Sequence, residues 1–174
     1  FEGFYRLERF ALGRFQYEHT DIDREIVTPS GIKIKKGTKV LFLHIPSGGA
    51  PLTDEVRMDS YKKAYEFYKN TSYVKNGKII FVCHSWLLYK EHYKFLPENS
   101  NILKFMNDFY IYEQYISDIK EDLWRIFGKQ DKLPYNELPE DTSLKRAYKN
   151  WLIEKDETGG GVGVIVFDGE KIVN

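Results

Sequence analysis

The sequence predicts an α+β domain built on one mixed sheet. Three observations carry this. Apolar runs of strand length crowd the first third of the chain. A capped helical stretch separates two of the most apolar runs, Val40 to Ile45 and Lys78 to Cys83, so the two can pair in parallel as a βαβ unit. A length of 174 residues suits one domain, spanning 1–174, and is too short for two ordinary ones.

Taken in order, Phe10 to Glu18 reads as a strand whose alternation slips. Phe10 and Leu12 share one parity, Phe15 and Tyr17 the other, and Gly13 at the switch suggests a β-bulge. Glu25 to Thr28 and Ile32 to Lys35 flank Pro29-Ser30-Gly31 as a hairpin. Lys36-Gly37 makes a second turn, and Val40 to Ile45 follows as a central strand, so an antiparallel meander is expected. Pro46 to Pro51 is a loop by composition. Thr53 can cap a helix running to about Asn70, with Asp54 and Glu55 in its first turn and Val56, Ser60, Ala64 and Phe67 on one face.

Lys78 to Cys83 is the next strand, followed by a helical turn near Lys90 to Phe95. Ser100 or Asn99 caps a helix carrying Ile102, Phe105, Met106 and Phe109. Tyr110 to Ile116 is aromatic and β-prone, and Asp118 to Phe127 reads as a helix stopped by Gly128. Residues 129–141 form a polar linker, and Ser143 to Lys155 a helix with Tyr148, Trp151 and Leu152 inward. Gly159-Gly160-Gly161 is expected to be a flexible joint before a closing hairpin of Val162 to Phe167 and Lys171 to Val173.

Composition narrows the function. The 26 basic and 26 acidic residues cancel, which argues against nucleic acid as the main partner. No apolar run approaches the ~18 residues of a membrane span, and no secretory leader is visible, so no membrane partner is expected. Cys83 is the sole cysteine, which excludes an intrachain disulfide and fits a reducing, cytoplasmic setting. The chain begins at Phe1, which predicts a fragment of something longer.

The candidate chemistry centres on Cys83-His84-Ser85-Trp86, at the end of a strand, where open sheets place ligands. Side chains alternate along a strand, so Cys83 and Ser85 share one side and His84 faces away. His44 ends the neighbouring strand and can complete a pair with Cys83 or His84. The bland reading of Cys83 is a buried, inert thiol. Ser47-Gly48-Gly49-Ala50 lies between strand and helix, where backbone N–H groups can meet phosphate, although Asp54 and Glu55 oppose an anion there and no P-loop Gly-Lys-Ser/Thr follows. The histidines, His19, His44, His84 and His92, lack metal-site spacing, so no metal is expected. Lys33, Lys35, Lys36 and Lys39 cluster at a turn and read as a solvated hairpin or, more sharply, a 3′-phosphate contact.

Several segments together resemble the GNAT-like C-terminal domain of bacterial acyltransferases. They are Leu7 to Glu18, His44-Ile45-Pro46, Cys83-His84-Ser85-Trp86-Leu87-Leu88, Asn99-Ser100-Asn101-Ile102, Leu138-Pro139 and Thr142-Ser143-Leu144. The resemblance spans nearly the whole chain. It implies a GNAT-like, mostly antiparallel mixed sheet, splayed between two central parallel strands, with acetyl-CoA or another acyl-CoA in the gap. It also implies a smaller N-terminal domain of the same protein as a partner. The usual Gln/Arg-x-x-Gly-x-Gly/Ala pyrophosphate loop is absent, so Ser47, Gly48 and Gly49, with the Ile45 N–H at the thioester, would serve in its place. Transfer to a small-molecule acceptor then needs a base, for which His44 and His84 are candidates, and an acid, for which Tyr93 is one. The alternatives are a GNAT-shaped binding domain without chemistry and a cysteine–histidine hydrolase or transferase using Cys83.

Overall fold

The first two strands of the computed structural model, which describes residues 2, 6–117, 120 and 122–174, form a tight hairpin. β1 (Arg9–Leu12) pairs antiparallel with β2 (Phe15–Asp21), and Leu12 faces Phe15 across a turn of Gly13 and Arg14. The parity switch at Gly13 is thus a reversal of the chain and not a bulge. Gly13 has φ +73°, and a Cβ there would come 3.1 Å from the Ser60 Cα, so both backbone shape and space favour glycine.

The expected meander is also corrected. β2 pairs directly with β5 (Lys39–His44), and the hairpin of β3 (Ile26–Val27) and β4 (Lys33–Ile34) leaves the main sheet as a separate two-stranded sheet. Its apolar residues Ile26 and Ile34, with Ile22, pack on Val40, Val82, Val164 and Val166 and cover one face of the sheet. The opposite face carries Leu41, Leu43, Phe81, Cys83, Ile165 and Phe167 and packs under the helices. That is why β5 is apolar at successive positions: its two sets of side chains enter two different cores.

α1 (Asp54–Tyr68) is capped by Thr53, whose Oγ1 accepts from the Val56 N–H at 3.4 Å. Its buried residues are Arg57, Ser60, Tyr61, Ala64 and Tyr68. Phe67, expected inward, is 50 % exposed and rests on Phe10. The buried face is shifted toward Arg57 and Tyr61, which donate to Asp108 Oδ2 at 2.7 and 2.8 Å, while Ser60 stays inward and its hydroxyl donates to the Leu12 carbonyl and accepts from the Phe15 N–H at 3.2 Å. β6 (Val74–Lys75) then reverses into β7 (Lys78–Ser85), which runs parallel to β5.

A 3-10 turn, Trp86–Leu88, and α2 (His92–Phe95) precede α3 (Asn101–Asn107), whose Ser100 cap accepts from the Ile102 N–H. β8 (Tyr110–Ile116) is an edge strand. Among the described residues the next helix, α4, is Leu123–Phe127; Asp118, where a helix start is expected, lies outside them. Two further 3-10 turns, Gly128–Gln130 and Tyr135–Glu137, break up the expected linker, and α5 (Ser143–Lys155) matches its prediction.

β9 (Gly159–Phe167) overturns the flexible joint. Gly159, Gly160 and Gly161 are buried inside a strand held between β7 and β8. The seven-stranded sheet has the order β1-β2-β5-β7-β9-β8, with β6 on β7. Among the described residues no helix is long and apolar enough to cross a membrane.

Candidate functional site

β5 and β7 are paired at Leu41 with Phe81 and at Phe42 with Val82, and not beyond. Both strands continue, β5 to His44 and β7 to Ser85. Each is held by its outer neighbour, His44 against Gln16 of β2 and Ser85 against Gly161 of β9. The C-terminal ends of the parallel pair therefore part, and a cleft of about 490 Å³ opens between them. A gap at the carboxyl ends of parallel strands is where α/β sheets hold ligands. Phe42, His44 and Ile45 form one wall, and His84, Trp86 and Tyr115 the other.

His44 lies on the sheet face of Phe42, whose ring leans on it at 4.8 Å. Its Nε2 is 2.6 Å from Glu18 Oε2. Glu18 also accepts from the Arg9 guanidinium, with Nε at 3.1 Å. Burial lowers the His44 pKa, and the Glu18 hydrogen bond pulls against it without restoring the ordinary value. Burial raises Glu18, but the bonds from Arg9 and His44 outweigh that and hold it below the usual carboxylate range. Glu18 is the partner that sequence reasoning missed. It becomes visible once β1 and β2 are read as a hairpin, because β2 then lies beside β5 with Gln16 opposite His44 and Glu18 opposite Phe42.

His84 is exposed and meets Tyr115 edge-on, with ring centroids 5.0 Å apart at 88°. Tyr115 belongs to β8 and reaches this place across β9. A Cβ on Gly160 would overlap the Tyr115 hydroxyl, and one on Gly161 would overlap the Gln114 amide. The glycine run leaves room for β8 side chains on both faces of the sheet, and Tyr115 is the one that reaches the cleft. Gln114 uses this room to donate to the Leu88 carbonyl at 2.8 Å and to accept from the Lys90 N–H at 2.8 Å. Burial raises the Tyr115 pKa, so its hydroxyl keeps its proton at neutral pH.

The remaining predicted residues divide. His44, Ile45, Ser47 and His84 line the cleft. Gly48 and Gly49 line an adjoining hollow beside Gly13 and Arg14. Arg14 ties this loop down, donating from Nε to the Ala50 carbonyl at 2.7 Å and from Nη1 to the Pro46 carbonyl at 3.0 Å. The N–H groups of Ser47, Gly48 and Gly49 have no partner among the described residues.

Cys83 is not brought to the cleft. It is fully buried in the helix-side core, and burial pushes its thiol pKa well up. Strand alternation that sends His84 outward sends Cys83 inward. Tyr93 is also elsewhere, half exposed on α2 and donating to Asn107 Oδ1 at 2.6 Å. The lysine cluster at the β4–β5 turn lies at the far end of β5, away from the Ser47 loop, and lines a separate hollow. Among the described residues, no three His, Cys, Asp or Glu side chains converge as a metal site would require.

A family profile described as the GNAT-like C-terminal domain matches residues 9–165, and the chain belongs to that family. No curated protein matches at a significant level. Among solved structures, an acyltransferase in complex with decanoyl-CoA is 25% identical with a TM-score of 0.69, covering 90% of this chain and 45% of its own. An acyltransferase in complex with decanoyl-CoA and teicoplanin is 21% identical with a TM-score of 0.72, over 92% of this chain and 47% of its own. An acyltransferase mutant in complex with octanoyl-CoA is 20% identical with a TM-score of 0.71, over 97% and 48%. The chain thus spans about half the length of these solved relatives.

Proposed function

We propose that this GNAT-like C-terminal domain is the acyl-CoA half of an acyltransferase that acylates an amine on a small-molecule acceptor. The observation that carries the reading is the parting of β5 and β7 beyond Phe42 and Val82, which opens a cleft walled by His44 and His84. The acyl-CoA complexes of similar fold support the choice of donor.

The acyl thioester would enter between the strands, with its carbonyl toward the Ile45 N–H and its phosphates near Ser47, Gly48 and Gly49. Asp54 and Glu55 open α1 with negative charge, so the cradle relies on backbone N–H groups more than on the helix dipole. His44 is the base. With Nε2–H donated to Glu18, Nδ1 is left unprotonated, and the lowered pKa keeps the ring neutral near pH 7. The amine attacks the thioester carbon and loses its proton to His44. The carbon–nitrogen bond forms as the carbon–sulfur bond breaks, and the CoA thiolate leaves and is protonated. Tyr115, protonated and on the opposite wall, stands in the place assigned from sequence to Tyr93.

The sole cysteine is buried and free, in keeping with a reducing cytoplasm as the setting. The other half of a longer chain would supply the rest of the acceptor site. The test is to titrate the full chain with decanoyl-CoA by calorimetry and thermal shift. Ligand at about 100 times its dissociation constant stabilises by about 2.7 kcal/mol. The absence of heat and of any shift at millimolar acetyl-CoA and decanoyl-CoA would sink the proposal.

A further inference from the structure

A second concavity, about 600 Å³, lies at the opposite pole of the same strands. Lys33, Lys35, Lys36, Lys39, Lys75 and Lys78 ring it, and no carboxylate among the described residues lines it. Lys39 of the groove and His44 of the acyl cleft are five residues apart on β5, about 16 Å at strand rise, so the two hollows are separate. We infer that this groove is a second ligand site, which takes a compact organic phosphate.

The charge is concentrated and largely unspent. The whole chain is neutral, with 26 residues of each sign. Lys33 pairs with Glu25 at 3.3 Å, where both are exposed. Lys36 is near enough to Asp23 to lower its pKa, though that carboxylate is held first by Arg24. Lys39 donates to Ser72 Oγ at 3.3 Å and stands over the Tyr73 ring. Lys35, Lys75 and Lys78 form no ion pair among the described residues. Ammonium groups from two chain segments, residues 33–39 and 75–78, around one hollow act as point charges that suit phosphate.

The shape selects a small ligand over an extended one. The volume lies within the usual range of small-molecule pockets. Ile32, Ile80 and Val166 give the floor an apolar surface for the ester body, and Ser72, Thr38 and Asn76 supply neutral hydrogen-bonding groups at the rim. A bare solvated hairpin needs neither the apolar floor nor the lysines of β6 and β7.

Phosphate could arrive on a nucleotide or on a lipid headgroup, and the experiment separates them. The full chain is titrated with pyrophosphate and with ADP at low and high salt, followed by amide NMR, and tested for sedimentation with phosphatidic acid vesicles. Lys35→Gln/Lys36→Gln/Lys75→Gln serves as the variant, since all three side chains are exposed. The expected result is salt-sensitive shifts at residues 35–39 and 72–78, weakened at least tenfold in the variant, with decanoyl-CoA binding at the cleft retained. Vesicle binding that the variant loses, without response to ADP, assigns the headgroup source. No response to any of the three probes at low salt overturns the inference, as does equal binding by the variant or a response confined to residues 45–49.

Discussion

His44 stands 2.6 Å from Glu18, and two opposed forces set its titration. Burial lowers its pKa, and the carboxylate raises it. Glu18→Gln removes the raising force, so the acidic limb of the rate profile moves to lower pH. It also frees the ring to take the other tautomer, so the plateau kcat falls by about a hundredfold, the low end of what a general base contributes. Thiol release from decanoyl-CoA, measured across pH with a small primary amine as acceptor, tests both effects. A full plateau with an unmoved limb would remove His44 from the role. Cys83 makes the contrasting case. Iodoacetamide is expected to leave it untouched in the native protein and to label it promptly in denaturant, because the reactive thiolate is both inaccessible and disfavoured. Fast native labelling would reopen the cysteine–histidine reading. The histidines were legible because strand alternation alone separates His84 from Cys83. Glu18 was not, because its place depends on which strands pair, a long-range fact that parity along one segment does not contain.

Two glycine features differ, at the scale of elements, from what the sequence pattern predicts, and each for a physical reason. A parity switch at glycine fits both a bulge and a two-residue hairpin, and what decides is the packing of Gly13 on Ser60 of α1, far away in sequence. Three successive glycines suggest looseness when considered alone. In β9 they are tightly enclosed, since their missing side chains are replaced by Tyr89, Gln114 and Tyr115 from neighbouring segments. Gly160→Ala is therefore expected to destabilise the fold by about 1–3 kcal/mol through overpacking and to displace Tyr115 from the cleft. A urea titration together with the decanoyl-CoA affinity tests this; an unchanged midpoint and affinity would mean that β9 has slack. The aromatic cluster between α2 and α5 carries a pH-linked prediction. His92 is fully buried, bonded to the Tyr148 hydroxyl, and burial lowers its pKa from 6.5 to about 3. Between those values the unfolded chain binds a proton that the folded chain refuses. This contribution to stability is complete above about pH 6.5 and declines toward pH 3, by up to about 1.4 kcal/mol per pH unit. His92→Phe should flatten that part of the stability–pH curve, and an equal slope in both proteins would refute the assignment.

The whole molecule behaves as two half-sheets with a narrow seam. β1, β2 and β5 form one half, and β7, β9 and β8 the other, with β6 at the edge of β7. Within each half the strands pair along most of their length, but β5 and β7 share only the register around Leu41–Phe42 and Phe81–Val82. The two cores span this seam at its base, with Leu41 and Phe81 on one face and Val40 and Val82 on the other. Among the described residues no strand pairing spans it toward Ile45 and Ser85. Stability is therefore uneven along a single strand: firm at the base and weak where the cleft opens. Amide hydrogen exchange should be faster at residues 43–45 than at residues 161–164 of β9, which lie paired between β7 and β8. An acyl-CoA lying between the strands would complete the seam, supplying the pairing that β5 and β7 deny each other. Saturating decanoyl-CoA should then slow exchange at 43–49 and 83–86 while leaving the base of the sheet unchanged. Uniform protection before ligand would show that the halves are joined by more than the seam, and slowing elsewhere would place the donor outside the cleft.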